Sequence, residues 1–293
     1  MSVKFETIGL VGTPGDQRVA DTLRTLAKHL NAQGIEALFL GNASTDVPGC
    51  REVDADELAD RADLVMSVGG DGTMLFATQL VATRDTPLLG INRGRLGFLA
   101  DISPNDELTG NIDAILSGEY ISETRGMLVA RLHGKKSAGT YALNDVVVQR
   151  AGETRLIDVE THVNGVYLNT HGSDGLIVAT PTGSTAYALS CGGPILEPSL
   201  NAFVVVPICP HTLSDRPIVI DGDSKIEVRL KDRKGVSGQI SCDGRAIAGL
   251  QPGDVLHIEA APFGATLLHP NNYDYFRILR SKLAWGHSSR RTR

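Results

Sequence analysis

The stretch Leu64-Val65-Met66-Ser67-Val68-Gly69-Gly70-Asp71-Gly72-Thr73-Met74 decides the fold class. Its first five residues form an apolar run of strand length, and from residue 74 to residue 82 the pattern turns helical. A strand that meets a helix through Gly69-Gly70-Asp71-Gly72-Thr73 belongs to an α/β layer. The glycines allow backbone N–H groups to approach a ligand closely, and a helix N-terminus favours negative charge, so the junction suits phosphate oxygens. Asp71 would repel those oxygens unless it has another task, such as taking the proton from a hydroxyl that accepts a phosphoryl group. As an alternative, Asp71 caps the helix. These five residues leave both readings open.

Working outward, residues 7–12 read as a strand that ends in Thr13-Pro14-Gly15-Asp16, and Val19, Leu23, Leu26 and Leu30 then recur at helical spacing. Gly34 is the expected helix stop, residues 37–40 and 88–91 read as further buried strands, and a helix carrying Leu108, Ile112, Ile115 and Leu116 ends at Gly118. The expectation is an α/β domain with a parallel sheet over residues 1–118. Beyond it, strand-like segments at 127–132, 141–149, 156–163, 176–179, 203–206, 218–220, 226–230 and 255–258 predict a β-rich, sandwich-like domain over 119–272. Only 184–190 and 273–285 look helical there; the second has a Tyr275, Ile278, Leu279 and Leu283 stripe that can pack back on the first domain. Residues 286–293 form a basic tail, read as a solvated terminus or as a docking site for an acidic partner.

With 293 residues, 42% hydrophobic and 21% charged, the chain has the composition of a globular protein of about two domains. Its net charge of −6, from 28 basic and 34 acidic residues, argues against nucleic acid as the main partner. No apolar run approaches the length of a membrane span, and no apolar signal core follows Met1-Ser2-Val3-Lys4. Cys50, Cys191, Cys209 and Cys242 stand far apart, with no spacing for a zinc site or a redox dithiol. A cytoplasmic protein with reduced thiols is expected.

A second constellation runs from Ser173-Asp174-Gly175 to Thr180-Pro181-Thr182-Gly183-Ser184-Thr185-Ala186-Tyr187. Small hydroxyl residues and glycine at a strand-to-helix junction offer N–H and O–H donors without bulk, which suits diphosphate or ribose. The plainer alternative is a helix capped by Thr182 or Ser184. Asn144-Asp145 interrupts the apolar 141–149 segment with polar groups on both faces of a strand, which points either to a ligand or to a bulge or turn. Two familiar nucleotide signatures are missing: there is no G-x-x-x-x-G-K-[ST], and Gly9, Gly12 and Gly15 have the wrong spacing for a dinucleotide fingerprint.

Taken in order, Gly69-Gly70-Asp71-Gly72-Thr73, Asn92 with Leu96-Gly97-Phe98-Leu99, Asn144-Asp145, the 173–187 segment, His211-Thr212-Leu213-Ser214 with Arg216-Pro217, and Ser241-Cys242-Asp243-Gly244 resemble the motifs of NAD kinases. That resemblance implies an α/β N-terminal domain, a β-rich C-terminal domain, and transfer of the ATP γ-phosphoryl group to the adenosine ribose 2′-hydroxyl of NAD. It further implies Mg²⁺ or another divalent cation arriving with ATP, no protein-built metal site, and a homodimer or homotetramer. Asp71 matches the aspartate that orients or deprotonates the acceptor hydroxyl. Gly70, Gly72 and Thr73 share its nucleotide-binding turn, and Phe98 lies in a flanking segment. Asn144 and Asp145 match residues that hold the adenosine half of NAD, while Asp174, Thr182, Thr185, Ala186, Tyr187 and Ser190 match positions around the dinucleotide. His211 and Arg216 receive no role. In bacterial relatives that strongly prefer oxidised NAD, a larger polar residue stands at the place of Gly172, so glycine there implies acceptance of NADH as well; the competing reading is a turn with positive φ.

Two rivals remain at this level. A lipid kinase uses a similar glycine turn but needs a membrane-facing surface, which only the tail offers. A dinucleotide-binding sensor would have no need of Asp71.

Overall fold

Residues Thr7–Gly12 form a strand (β1) because they are apolar and buried, and Asp16 ends the following turn by accepting the Arg18 amide at the start of helix α1 (Gln17–Ala32). The structure is a computed structural model that describes residues 5–13, 15–41, 46–93, 97–105, 107–134, 139–152, 156–232 and 235–285. Pro14, Leu96 and the basic tail at 286–293 lie outside the described residues. Two compact units make up the chain, one of Met1–Thr124 with Ala265–Arg293 and the other of Arg125–Gly264.

In the first unit, β1 and α1 are followed by β2 (Glu36–Leu40), β3 (Arg51–Val53), α2 (Ala55–Arg61), β4 (Leu64–Gly69), α3 (Asp71–Val81), β5 (Leu88–Asn92), α4 (Leu108–Leu116) and the start of β6 (Tyr120–Leu132). The strands pair in parallel in the order β5-β4-β1-β2-β3. All six residues of β4 and all five of β5 are buried, as expected for a parallel sheet covered by helices. The α1 stripe of Val19, Leu23, Leu26 and Leu30 packs with Ile8 and Leu10 of β1 and with Ile112 and Ile115 of α4. Truncating one of these leucines removes about 2–5 kcal/mol of stability. Strand order reverses direction from β1: the chain moves outward to β2 and β3, then returns to β4 on the other side, which makes the β1/β4 junction a topological switch point.

The second unit contains the rest of β6, then β7 (Thr140–Ala142), β8 (Asp145–Arg150), β9 (Ile157–Val163), β10 (Val166–Ser173), β11 (Gly175–Ala179), α5 (Tyr187–Ser190), β12 (Ala202–Ile208), β13 (Ile218–Asp221), β14 (Ile226–Leu230), β15 (Gly238–Cys242), β16 (Arg245–Leu250) and the first part of β17 (Leu256–Pro270). One antiparallel sheet runs β13-β12-β11-β8-β15-β16; another includes β10-β9-β14-β17. Val146 and Val148 pack into the core that also holds Val159 and Val228, whereas Val147 faces Ala188 and Leu196 on the opposite side. Period-two alternation with both faces apolar explains the unbroken apolar run at 146–148. Beyond the second unit, β17 continues into the first, where Leu267 and Leu268 pair in parallel with β5, and helix α6 (Tyr275–Leu283) follows.

Several expectations need correction. The 141–149 segment is two strands rather than one, because Leu143 and Asn144 form a turn between β7, which pairs with β6, and β8, which belongs to the other sheet. The strand expected at 255–258 runs on to Pro270. Gly172 takes extended strand backbone in β10, so the turn explanation for that glycine fails. Helix α2 and strands β3, β10, β15 and β16 were not signalled by periodicity. The two unit divisions fall inside the long strands β6 and β17, between Thr124 and Arg125 and between Gly264 and Ala265, rather than in loops.

Candidate functional site

At the switch point of the first unit, the turns after β1 and β4 lie side by side. The hydroxyls of Thr13 and Thr73 are 2.7 Å apart, and a β-carbon at Gly69 would stand 2.2 Å from Thr73 Oγ1 and 2.8 Å from Thr13 Oγ1. Only glycine permits that approach. A cavity of about 590 Å³ opens there, lined among others by Gly12, Thr13, Gly70, Gly72, Thr73 and Phe76. Gly70 and Gly72 have nothing within 4 Å of where a β-carbon would point. Gly70 is the N-cap of α3 and makes no side-chain cap; the Thr73 amide donates to Gly70 O at 3.0 Å, so it is the Asp71 and Gly72 amides at the start of this eleven-residue helix that can meet an anion.

Asp71 does not cap α3. Its Oδ2 accepts the Phe98 amide at 3.0 Å and its Oδ1 the Leu99 amide at 3.1 Å. Two N–H donors hold the carboxylate in one orientation, half-buried beside the helix start. The loop that supplies them is secured by Asn92, whose buried Nδ2 donates to Ala100 O at 3.1 Å. The Phe98 ring carries Lys282 Nζ of α6 at 5.8 Å from its centroid.

In the second unit, Asn144 and Asp145 sit at one end of the β8/β11 pair. Asp145 is opposite Ala179, and Thr180 N donates to Asn144 O at 2.9 Å. The carboxylate of Asp243 accepts the Leu143, Asn144 and Asp145 amides at 2.9, 2.7 and 3.2 Å, which shapes the turn between the sheets. Asp243 and Gly244 both have positive φ, +48° and +76°, as a two-residue hairpin between β15 and β16 requires. Burial, with the nearby Asp243 charge adding to it, pushes the Asp145 pKa up to about 7.

Thr182 is buried, and its Oγ1 accepts from Arg125 Nη1 at 3.3 Å. Thr185 Oγ1 donates to Thr182 O at 3.1 Å, and Ala186 N to Gly183 O at 2.9 Å, closing a short 3-10 turn before α5. Thr182 stands at the N-cap of this turn but its side chain makes no capping hydrogen bond, and Ser184 Oγ donates to Pro181 O at 2.6 Å instead of capping. Asp174, at the far end of β11, pairs with Arg150 Nε at 3.0 Å. The exposed Tyr187 phenol accepts from Gln149 Nε2 at 3.2 Å; burial, then the Cys191 charge, raises its pKa. Ser190 ends α5 and is exposed. The unit therefore gathers Asn144, Asp145, Thr182, Thr185 and Ala186 toward one end of β8/β11 and Asp174 toward the other, an interval of roughly 17 Å for the five residues from Asp145 to Arg150.

Sequence reasoning did not assign Asp243 a role, although Asp-Gly between two strand-like runs is a hairpin signal. Among the described residues, no group of three His, Cys, Asp or Glu side chains could hold a metal ion, and no helix is long and apolar enough to cross a membrane. All four cysteines are free. His211 donates its amide to Gly172 O at 2.9 Å, and Arg216 Nη1 donates to the Leu213 and Asp215 carbonyls, both backbone roles.

Residues 8–120 match the family model of the ATP-NAD kinase N-terminal domain and residues 143–269 that of the ATP-NAD kinase C-terminal domain. An NAD kinase of Methylococcus capsulatus is 47% identical over 288 residues, covering 97% of this chain and 99% of the relative. An NAD kinase of Nitrosococcus oceani is 45% identical over 291 residues, covering 98% and 99%. Among solved structures, yeast NADH kinase complexed with NADH superposes with a TM-score of 0.89 at 25% identity, covering 99% of this chain and 91% of that one. An NAD kinase from Archaeoglobus fulgidus in complex with ATP gives 0.75 at 29% identity, covering 95% and 98%. With both domain models matched in order and relatives above 40% identity over nearly the whole chain, this protein belongs to the NAD kinase family.

Proposed function

We propose that this chain phosphorylates NAD to NADP, transferring the γ-phosphoryl group of ATP in line to the adenosine ribose 2′-hydroxyl. The observation that carries this reading is the carboxylate of Asp71, held by two backbone amides beside the uncapped N-terminus of α3. Asp71 orients the acceptor hydroxyl and takes its proton, and Gly70, Gly72 and Thr73 receive phosphate oxygens. Asn144 and Asp145 hold the adenosine half, whose hydroxyl and amino groups are donors suited to carboxylate and carbonyl acceptors. Asp174, Thr182, Thr185, Ala186, Tyr187 and Ser190 line the rest of an elongated dinucleotide site, and Phe98 contributes through its amide.

A divalent cation such as Mg²⁺, when bound to ATP, would offset phosphate charge. In this reading the cation arrives with the nucleotide. A homodimer or homotetramer in the cytoplasm completes the proposal, supported by the exposed edge strand β13 with Ile218 and Val219. Incubation of the purified chain with ATP, Mg²⁺ and NAD, followed by an NADP assay, tests the activity; no NADP formed would overturn it. Light scattering tests the assembly, and a monomer at micromolar concentration would reject it.

A further inference from the structure

The Phe98 and Leu99 amides that hold Asp71 come from residues 97–101, which have no regular secondary structure. An irregular loop keeps two amides in place only where other contacts fix it. Ala100 O accepts both Asn92 Nδ2 and Gly97 N at 3.1 Å, and Ile102 bridges Ile91 of β5. Between these ties stands Asp101, whose carboxylate is 8% exposed. Asp101 Oδ2 lies 3.1 Å from His269 Nδ1, and His269, 1% exposed, has its Nε2 3.5 Å from Glu123 Oε2. The Tyr273 ring stacks on the imidazole at 3.9 Å and 15°.

Each imidazole nitrogen thus faces a carboxylate oxygen, but of these two contacts only that of Nδ1 with Asp101 Oδ2 has hydrogen-bond geometry, so Asp101 is the partner that ties the ring to the loop. Asp101 Oδ1 is buried without a hydrogen-bond partner among the described residues. Such a cluster is a poor source of stability, because desolvation of buried charges offsets their attraction and well-packed apolar side chains serve as well. Its value lies in geometry: Asp101 follows Leu99 by two residues and Phe98 by three, so a shift of Asp101 carries both amides with it.

Resting on the reading of Asp71 as the group that handles the acceptor hydroxyl, we propose that His269 is a positioning residue for that aspartate. Through Asp101, His269 fixes the loop whose Phe98 and Leu99 amides aim the Asp71 carboxylate. His269 touches no reacting atom. It acts by keeping a carboxylate in register, and misplacement of a reacting group by about 1 Å can lower turnover up to about 10²-fold.

The test uses the full chain with His269→Gln and Asp101→Asn, each alone and combined with Asp71→Asn. Asp101→Asn keeps the side-chain shape and serves where His269→Gln does not fold. Each single variant is expected to lower kcat about 10-fold, leave KM for ATP and NAD within about 2-fold, and lower kcat by less than about 2-fold further in the Asp71→Asn background. Hydrogen exchange at the Phe98 and Leu99 amides should quicken. A folded variant with wild-type kcat and unchanged exchange overturns the proposal, as does an equal loss in both backgrounds, which would mark a general effect on the fold. Wild-type turnover in Asp71→Asn itself would sink the reading of Asp71; exchange at the two amides would still report, separately, whether His269 holds the loop.

Discussion

A β-carbon on Gly97 would lie 2.0 Å from Oδ1 of Asp71. The missing side chain at position 97 is what gives the carboxylate room to reach the Phe98 and Leu99 amides. Retreat is blocked as well, since Ala100 O would be 3.2 Å from the same β-carbon. In Gly97→Ala the carboxylate must leave its amides, and kcat is expected to fall about 10–100-fold with KM for both substrates nearly unchanged. Steady-state kinetics beside a melting curve checks this; wild-type kcat would mean that the carboxylate finds another productive position.

Removing the charge of Asp71 tests its chemistry rather than its placement. Asp71→Asn should lower turnover about 10²–10⁴-fold, the usual worth of a positioned acid or base, with dinucleotide affinity little changed. The asparagine nitrogen cannot accept from the Phe98 or Leu99 amide, so one of the two hydrogen bonds is lost in addition to the base. Near-wild-type turnover would reduce Asp71 to a structural residue.

Much of this was legible in the sequence because the first unit is built from local patterns. The Val19, Leu23, Leu26 and Leu30 stripe and the buried run of β4 can be read without knowledge of any partner. What escaped depends on distant residues. Strand β10 is largely polar, and its pairing with β9 holds it in place rather than its own periodicity. The split of 141–149 depends on Asp243, about a hundred residues away, whose carboxylate draws three amides into a turn. Likewise, Asp71 could be read as a cap because its partners, Phe98 and Leu99, stand 27 and 28 residues on in the chain.

From the proposed role of Asp145, dinucleotide binding is expected to depend on pH. Its pKa, pushed up to about 7 by burial and then by Asp243, means that the carboxylate form available to ligand hydroxyls is lost as pH falls through about 7. KM for NAD should therefore rise between about pH 8 and pH 6, and Asp145→Asn should flatten that rise. Folding has the opposite sign. The folded-state pKa exceeds the ordinary carboxylate value of 3.8, so stability from this group is full below about 4 and is lost as pH rises toward 7. Asp145→Asn should accordingly raise the melting temperature more at pH 8 than at pH 4. A KM for NAD independent of pH over this range, in the parent chain, would reject the role of Asp145.

We propose that Gly172 bears on the choice between NAD and NADH. It lies in extended backbone opposite Asp158, so no turn requires glycine there, and what it leaves is space. An added β-carbon would meet only Asp158 Oδ1, at an ordinary 3.4 Å, so the backbone at this position accepts a β-carbon without strain. Oxidised nicotinamide is planar and positively charged, whereas the reduced ring is neutral and puckered. A site with no side chain at this position should discriminate weakly between them. The parent chain is expected to show kcat/KM values for NAD and NADH within about 10-fold of each other, a difference below about 1.4 kcal/mol. Gly172→Arg should suppress the NADH reaction selectively while the melting temperature holds, because Asp158 offers the guanidinium a partner across the strand pair. Measurement of kcat/KM for both dinucleotides in both proteins decides the matter: a strong preference for NAD in the parent chain, or an equal loss for both in the variant, would remove Gly172 from any role in selecting the dinucleotide.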